Sequence, residues 1–111
     1  MKVASVQMDV FFGKVPANVS RITRHLKNLA GVQVSLAVFP EAALTGYCFN
    51  SLQDALEVAV DLSIPGPLDE IQRACEEHGI SAVLGFAEKQ GSLLYNSCAL
   101  LTPGEPRRIY R

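Results

Sequence analysis

The sequence predicts an α/β protein built on a mixed β-sheet, and three observations carry that reading. Short apolar segments at Lys2–Met8 and Val34–Phe39 are separated by a stretch of helical periodicity, which requires a crossover connection. Two further blocks of helical spacing follow before the next strands. Those strands, Ile80–Ala87 and Leu93–Leu101, are joined around Gln90-Gly91 and read as an antiparallel hairpin. Strands divided by helices imply a sheet covered by helices, and the closing hairpin makes the sheet mixed.

Each element has a local reason. Lys2–Met8 carries apolar residues on both alternating faces, Val3 and Ser5 against Ala4, Val6 and Met8, and is expected as a buried strand. After a turn at Phe12-Gly13-Lys14, Pro16 suits the start of a helix, where its missing N–H has no partner to lose. Val19, Ile22, Leu26 and Leu29 recur at helical spacing, with Arg21, Arg24 and Lys27 largely elsewhere, and Gly31 is expected to end the helix. Val34–Phe39 reads as a second buried strand stopped by Pro40. Ser51 and Asp54 mark the next helix start, with Leu52, Leu56 and Ala59 on one side and Ala55 and Leu62 nearby. Ile64-Pro65-Gly66-Pro67 is a rigid connector. The third helix, Leu68–His78, shows Leu68, Ile71 and Cys75 on one stripe, closed by Gly79. Thr102–Pro106 is a loop, and Arg107–Arg111 opens a further segment. Helices on one face, with apolar residues on both faces of the strands, would leave the other face bare, as in a chain that is incomplete or paired.

Composition narrows the class. The chain has 111 residues, 49% hydrophobic and 19% charged, as in a small globular protein. A net charge of −1 provides no global field for nucleic acid or an anionic membrane. The one dense basic stretch, Arg107-Arg108-Ile109-Tyr110-Arg111, is interrupted by apolar residues and reads as a solvated chain end. No signal-peptide pattern is visible, and the apolar runs fall far short of the ~20 residues of a membrane span. Three cysteines without CxxC spacing make neither a disulfide framework nor a zinc site, so a cytoplasmic location is expected. His25 and His78 lack metal-ligand spacing and read as surface residues.

The most informative segment is Ala37-Val38-Phe39-Pro40-Glu41-Ala42-Ala43-Leu44-Thr45-Gly46-Tyr47. An apolar strand delivers one carboxylate just beyond its carboxyl end, where ligands bind in α/β sheets. A carboxylate shielded from water there would hold its proton more tightly and act as a base near neutrality. From position alone, an acid on a surface turn is the more ordinary reading.

The run from Phe39 to Tyr47 resembles the glutamate motif of the nitrilase superfamily of carbon–nitrogen hydrolases. Other segments agree in order and spacing: Lys2–Val10, Pro16-Ala17-Asn18, and Pro65-Gly66-Pro67 before a helix ending His78-Gly79-Ile80. Gly85-Phe86-Ala87-Glu88 followed by Leu94-Tyr95-Asn96-Ser97 is similar too. The resemblance covers nearly the whole chain. It implies the amino-terminal part, roughly two-fifths, of a four-layer α-β-β-α sandwich, with residues 1–111 as a partial domain.

In that family a cysteine attacks an amide-like carbon and is acylated, and water then releases the acid. A glutamate is the general base and a lysine stabilises the oxyanion. A thiol near neutrality needs a base to become nucleophilic, and the oxyanion needs a fixed positive partner. The resemblance gives Glu41 the base role. The lysine belongs immediately after a segment like Arg108-Ile109-Tyr110-Arg111 and the cysteine beyond another strand. Lys2, Lys14, Lys27 and Lys89 stand elsewhere. Cys75, on a helix stripe, and Cys98, in a strand, read as buried fillers; Cys48, beside the glutamate motif, also reads as a small apolar filler. Tyr47 and Glu88 are the substrate-pocket candidates. Tyr47 is a pocket wall or a core aromatic with a satisfied hydroxyl; Glu88 orients the site through hydrogen bonds or is a turn acid. Asn96 and Ser97 are expected to satisfy backbone groups near the cleft.

The implied function is hydrolysis of a small amide, carbamoyl compound or nitrile by the intact protein, through Glu, Lys and Cys. The resemblance implies no metal or organic cofactor, and a homo-oligomer joined through exterior helices. No nucleic-acid or membrane partner is expected. These 111 residues alone are expected to be inactive and to fold poorly, since an unfinished sheet exposes an edge and apolar surface. The alternative is a non-catalytic interaction module or one half of a split enzyme.

Overall fold

The computed structural model describes residues 1–111. Along the chain run β1 (Val3–Ser5), α1 (Val15–Gly31), β2 (Leu36–Val38), α2 (Leu52–Val58), β3 (Val60–Asp61), α3 (Pro67–His78), β4 (Ser81–Gln90), β5 (Leu93–Leu101) and β6 (Arg108–Tyr110). They form an α/β fold with one mixed sheet of six strands, ordered β1-β2-β4-β5-β6, with β3 added to β4. β1, β2, β3 and β4 pair in parallel, and β4, β5 and β6 are antiparallel. β2 pairs Leu36–Val38 with Ser81–Val83, while β3 pairs Val60 with Glu88, both along β4. The segment of β4 between those pairings receives the turn that carries Glu41.

Local chemistry accounts for the helix ends. Pro16 lies in the first turn of α1, as expected, but Gly31 is still helical and the left-handed position falls on Gln33 (φ 63°). Ser51 Oγ accepts the Asp54 N–H at 3.1 Å and caps α2. In α3, Pro67 opens the helix, and the Asp69 carboxylate reaches back to the Gly66 N–H at 2.7 Å. Gly79 closes α3 at φ 66°, a conformation that favours glycine.

α1 packs beside α3. Together they bury Val19, Ile22, Leu26, Leu68, Ile71 and Cys75 against the helix-facing residues Ala37, Ala82, Leu84, Phe86, Ala99 and Leu101. At about 25 cal/mol per Å² of apolar surface removed from water, this shared core is the main source of stability.

Two expectations need correction. The first two strands are shorter than expected and buried on one face only: Val3 is 54% exposed, and Leu36 and Val38 are half-buried. Alternating apolar residues showed that both faces can be buried, but nothing in these residues covers the second one. The second helix ends at Val58 because Ala59 is extended, and β3 forms where a helix was expected to continue. Its Leu52 is exposed and Ala55 provides the buried contact.

The register defines the bare face. Ser5, Val38, Val83, Leu100 and Arg108 form one row across the sheet, with Val3, Leu36 and Ser81 beside it. Gly85, Cys98 and Tyr110 form a third row, so Cys98 is half-buried on this face and is not the buried filler expected. The isolated 111-residue chain is therefore expected to bind the dye ANS and to self-associate. Val83→Lys with Leu100→Lys should reduce both without loss of helical circular dichroism. A dye-silent monomer in size-exclusion chromatography would contradict this.

Candidate active site

Glu41 sits on a turn that is built against β4. The chain leaving β2 stays alongside that strand: the Phe39 N–H donates to the Val83 carbonyl at 2.8 Å, and the Gly85 N–H to the Pro40 carbonyl at 3.3 Å. After the reversal, the Leu44 N–H donates to the Gly85 carbonyl at 3.3 Å. Ala42 takes a left-handed conformation at φ 49°, uncommon for a residue with a Cβ. The approach is close enough to require glycine in the strand: a Cβ on Gly85 would lie 2.6 Å from the Ala42 nitrogen and 2.9 Å from Glu41 Cα.

Two buried polar side chains pin this turn from the other side. Asn18, on α1, donates through Nδ2 to the carbonyls of Phe11 and Leu44 and accepts the Phe11 N–H, each at 2.8 Å. Thr45 Oγ1 accepts the Ala87 N–H at 3.0 Å, and the Thr45 carbonyl accepts the Gly13 N–H at 2.9 Å. Both side chains are fully buried. Sequence reasoning did not pick out either as a site-building residue. The available signal was Asn18 itself, a polar residue beside Val19 at the start of an apolar stripe.

The Glu41 carboxylate is exposed, so these residues do not supply the dry surroundings expected of a base. Asn96 Nδ2 donates to Glu41 Oε1 at 2.7 Å, and no ion pair engages Glu41. Asn96 thus satisfies a carboxylate, where a role toward backbone groups was expected. A neutral donor on one oxygen orients the carboxylate and leaves the other free to take a proton.

Glu88 has the opposite environment. It is 2% exposed, and Ser97 Oγ donates to its Oε2 at 2.6 Å. Arg111 Nη2 donates to Oε1 at 2.6 Å, with Nε at 3.2 Å from both oxygens. The Arg111 guanidinium also lies 4.0 Å from the centre of the Tyr95 ring. The Arg111 hydrogen bonds hold the Glu88 carboxyl below the ordinary carboxylate range; burial opposes the shift and Ser97 adds to it. Glu88 is a buried, paired anion, which removes the turn-acid reading. Asn96 and Ser97 are successive strand residues on opposite faces, so β5 ties one carboxylate to each side of the sheet.

Glu41 borders three shallow depressions. One, of about 300 Å³, lies between Tyr47 and Phe49 on one side and Leu94, Tyr95 and Asn96 on the other. A second, of about 370 Å³, includes Met8, Phe12, Tyr47 and Cys48. The third, of about 390 Å³, lies on the bare face beside Val83, Cys98, Tyr110 and Arg111. Tyr47 is 69% exposed and stands between the first two, so it is not a core aromatic. Glu88 lines none of the three.

The other candidates sort by exposure and contact. Cys48 is exposed, not a buried filler, whereas Cys75 is buried and its thiol is pushed up to about 11 by burial. A thiol held that high is unreactive near neutrality. No lysine lines the depressions at Glu41. His25 is half-buried in a T-shaped pair with Phe39, ring centroids 6.3 Å apart, and His78 is half-buried at the end of α3. No three His, Cys, Asp or Glu side chains cluster as metal ligands.

A mixed α/β sheet with one carboxylate on a strand-end turn can seat a ligand beyond the strand ends, and likeness to known proteins supplies the family. A profile of the family described as carbon-nitrogen hydrolase matches residues 2–111, and the chain belongs to that family. A nitrilase of Pyrococcus abyssi is 30% identical over 114 residues, which cover 99% of this chain and 44% of the relative. A protein N-terminal amidase of Schizosaccharomyces pombe is 35% identical over 112 residues, covering 93% of this chain and 39% of the relative. A crystal structure of an N-terminal amidase matches 98% of this chain and 27% of its own, with a TM-score of 0.81 and 27% identity. The chain thus spans less than half the length of these relatives.

Gly85→Ala should push the Glu41 turn off β4 and cost about 1–3 kcal/mol, as overpacking does, read from the denaturant midpoint. Glu88 sets an acid limit. Its folded pKa lies below the unfolded one, so the unfolded chain binds more protons between the two values. That contribution is complete above the ordinary value of about 4.3 and is lost as pH falls through the folded value. Arg111→Gln should flatten the fall in stability seen on acidification, measured by denaturation at a series of pH values.

Proposed function

We propose that the protein carrying this chain hydrolyses a non-peptide carbon–nitrogen bond in a small amide, carbamoyl compound or nitrile, with Glu41 as general base. The observation that carries the reading is the state of Glu41. It stands on a turn pinned by Asn18, Thr45 and Gly85, with one oxygen held by Asn96, at the meeting point of three depressions. Membership of the carbon-nitrogen hydrolase family supports it, as does the likeness to a nitrilase and to amidases. One solved N-terminal amidase, matching with 27% identity, holds a Gln-Gly peptide, which supports an amide-bearing substrate.

In this reading the free oxygen of Glu41 takes a thiol proton, and the thiolate attacks the carbonyl carbon or a nitrile carbon. A nitrile nitrogen takes the proton to give a thioimidate, which one water converts to the thioester with loss of ammonia. A lysine ammonium stabilises the oxyanion, and for an amide the amine leaves with the proton returned by Glu41. Water, deprotonated in turn by Glu41, then releases the acid and restores the thiol. The lysine and the nucleophilic cysteine are assigned to residues outside these 111, because none of the lysines or cysteines here matches the family position. Cys48 borders a depression at Glu41 but follows the glutamate motif directly, where the family's cysteine does not stand. Tyr47 takes the role of a pocket wall. Glu88 acts at one remove, by anchoring Arg111 and Ser97. Residues 1–111 are one partial domain of a cytoplasmic homo-oligomer; no helix here is long and apolar enough to cross a membrane. The 111 residues by themselves do not turn over substrate.

Glu41→Gln in the full-length protein should lower kcat by roughly 10²–10⁴-fold, the usual contribution of a general base, with KM little changed. Steady-state ammonia release checks this, and wild-type kcat in the Gln variant would remove Glu41 from the base role.

A further inference from the structure

We infer that the depression between Phe49 and Leu94 selects an uncharged, apolar substituent on the substrate, with Leu94 and Phe49 as specificity-determining residues; this rests on the hydrolase reading above. The depression holds about 300 Å³ and six of its nine lining residues are hydrophobic, which leaves little to solvate a charge. Its polar groups are few and convergent, the usual design of a small-molecule site. Glu41 is the single carboxylate in the lining, and Asn96 already hydrogen-bonds it.

Two of the walls are fixed in advance. Phe49 packs against Phe12 with ring centroids 5.2 Å apart. Leu94 is set by its place in β5 opposite Lys89. No cation lines the depression, and the neighbouring Arg111 and Lys89 are committed elsewhere. Arg111 is bound to Glu88 and Gln90, and Lys89 Nζ donates to the Leu56 carbonyl at 3.1 Å. An anionic substituent in the depression would meet the Glu41 carboxylate, while the lysine of the mechanism is committed to the oxyanion. A cationic one would lose its water against apolar walls and tie up the base by pairing with it. A neutral aliphatic or aromatic group meets neither cost.

The test uses the full-length protein and three amides of comparable size: phenylacetamide (neutral), glutaramate (anionic) and 5-aminopentanamide (cationic). From ammonia release, kcat/KM should be at least about tenfold higher for phenylacetamide than for either charged amide. Leu94→Asn, which adds polarity without charge, should raise KM for phenylacetamide by about tenfold with kcat within about threefold, and Phe49→Ala should act in the same direction. Equal kcat/KM for the three amides, or an unchanged KM in both variants, overturns the inference. Calorimetric titration of phenylacetamide into the Glu41→Gln protein separates the pocket from the reaction. Binding that Leu94→Asn weakens, with no turnover of any amide by the wild type, retains the pocket and removes the hydrolase reading. Turnover that favours a charged amide retains the hydrolase reading and removes the pocket.

Discussion

The contact between Gly85 and the backbone of Glu41 and Ala42 is the constraint on which the rest of the site depends. β2 and β3 both pair along β4, and the stretch between them is satisfied by the Glu41 turn through hydrogen bonds at Gly85. The turn can lie there because residue 85 has no Cβ; any other residue would intrude on backbone that has no freedom to move. Ala42 at φ 49° adds local strain, which is sustained by Asn18 and Thr45 from the far side. The carboxylate is thus positioned by main chain, a glycine and two buried polar side chains.

The energetics of the sheet are one-sided. α1 and α3 bury one face with a continuous apolar cluster, while the rows containing Val3, Val38 and Cys98 remain open on the other. Glu41 lies over Gly85, which belongs to the open face, and Asn96 reaches it from the same side. The bare face and the candidate site therefore coincide. Any surface laid over this face at Gly85 would also cover Glu41.

The two carboxylates show how one strand divides labour. Asn96 holds an exposed acid through a neutral amide, while Ser97 and Arg111 neutralise a buried one. A buried carboxylate with a bidentate guanidinium is a structural anchor, since its proton is bound too weakly to be useful near neutrality. Through it, Arg111 at the end of β6 and the Tyr95 ring are fixed to β4, on the face opposite Glu41.

Much of this was legible from the chain. The spacing of Val19, Ile22 and Leu26, the Leu68, Ile71 and Cys75 stripe, and the hairpin around Gly91 each follow from a local period or turn preference, and all three stand in the structure. The strand-end glutamate was singled out by its resemblance to a family motif, since by position alone a surface-turn acid is the more ordinary reading. What only the tertiary structure decided is non-local. The two-residue β3, the clamp of Asn18 on Leu44, the pairing of Glu88 with Arg111, and the exposure of Cys48, Tyr47 and Val3 all depend on residues distant in sequence. Side-chain periodicity says which face of an element can be buried. It does not say what arrives to bury it, because that is set by contacts between segments that the sequence keeps far apart.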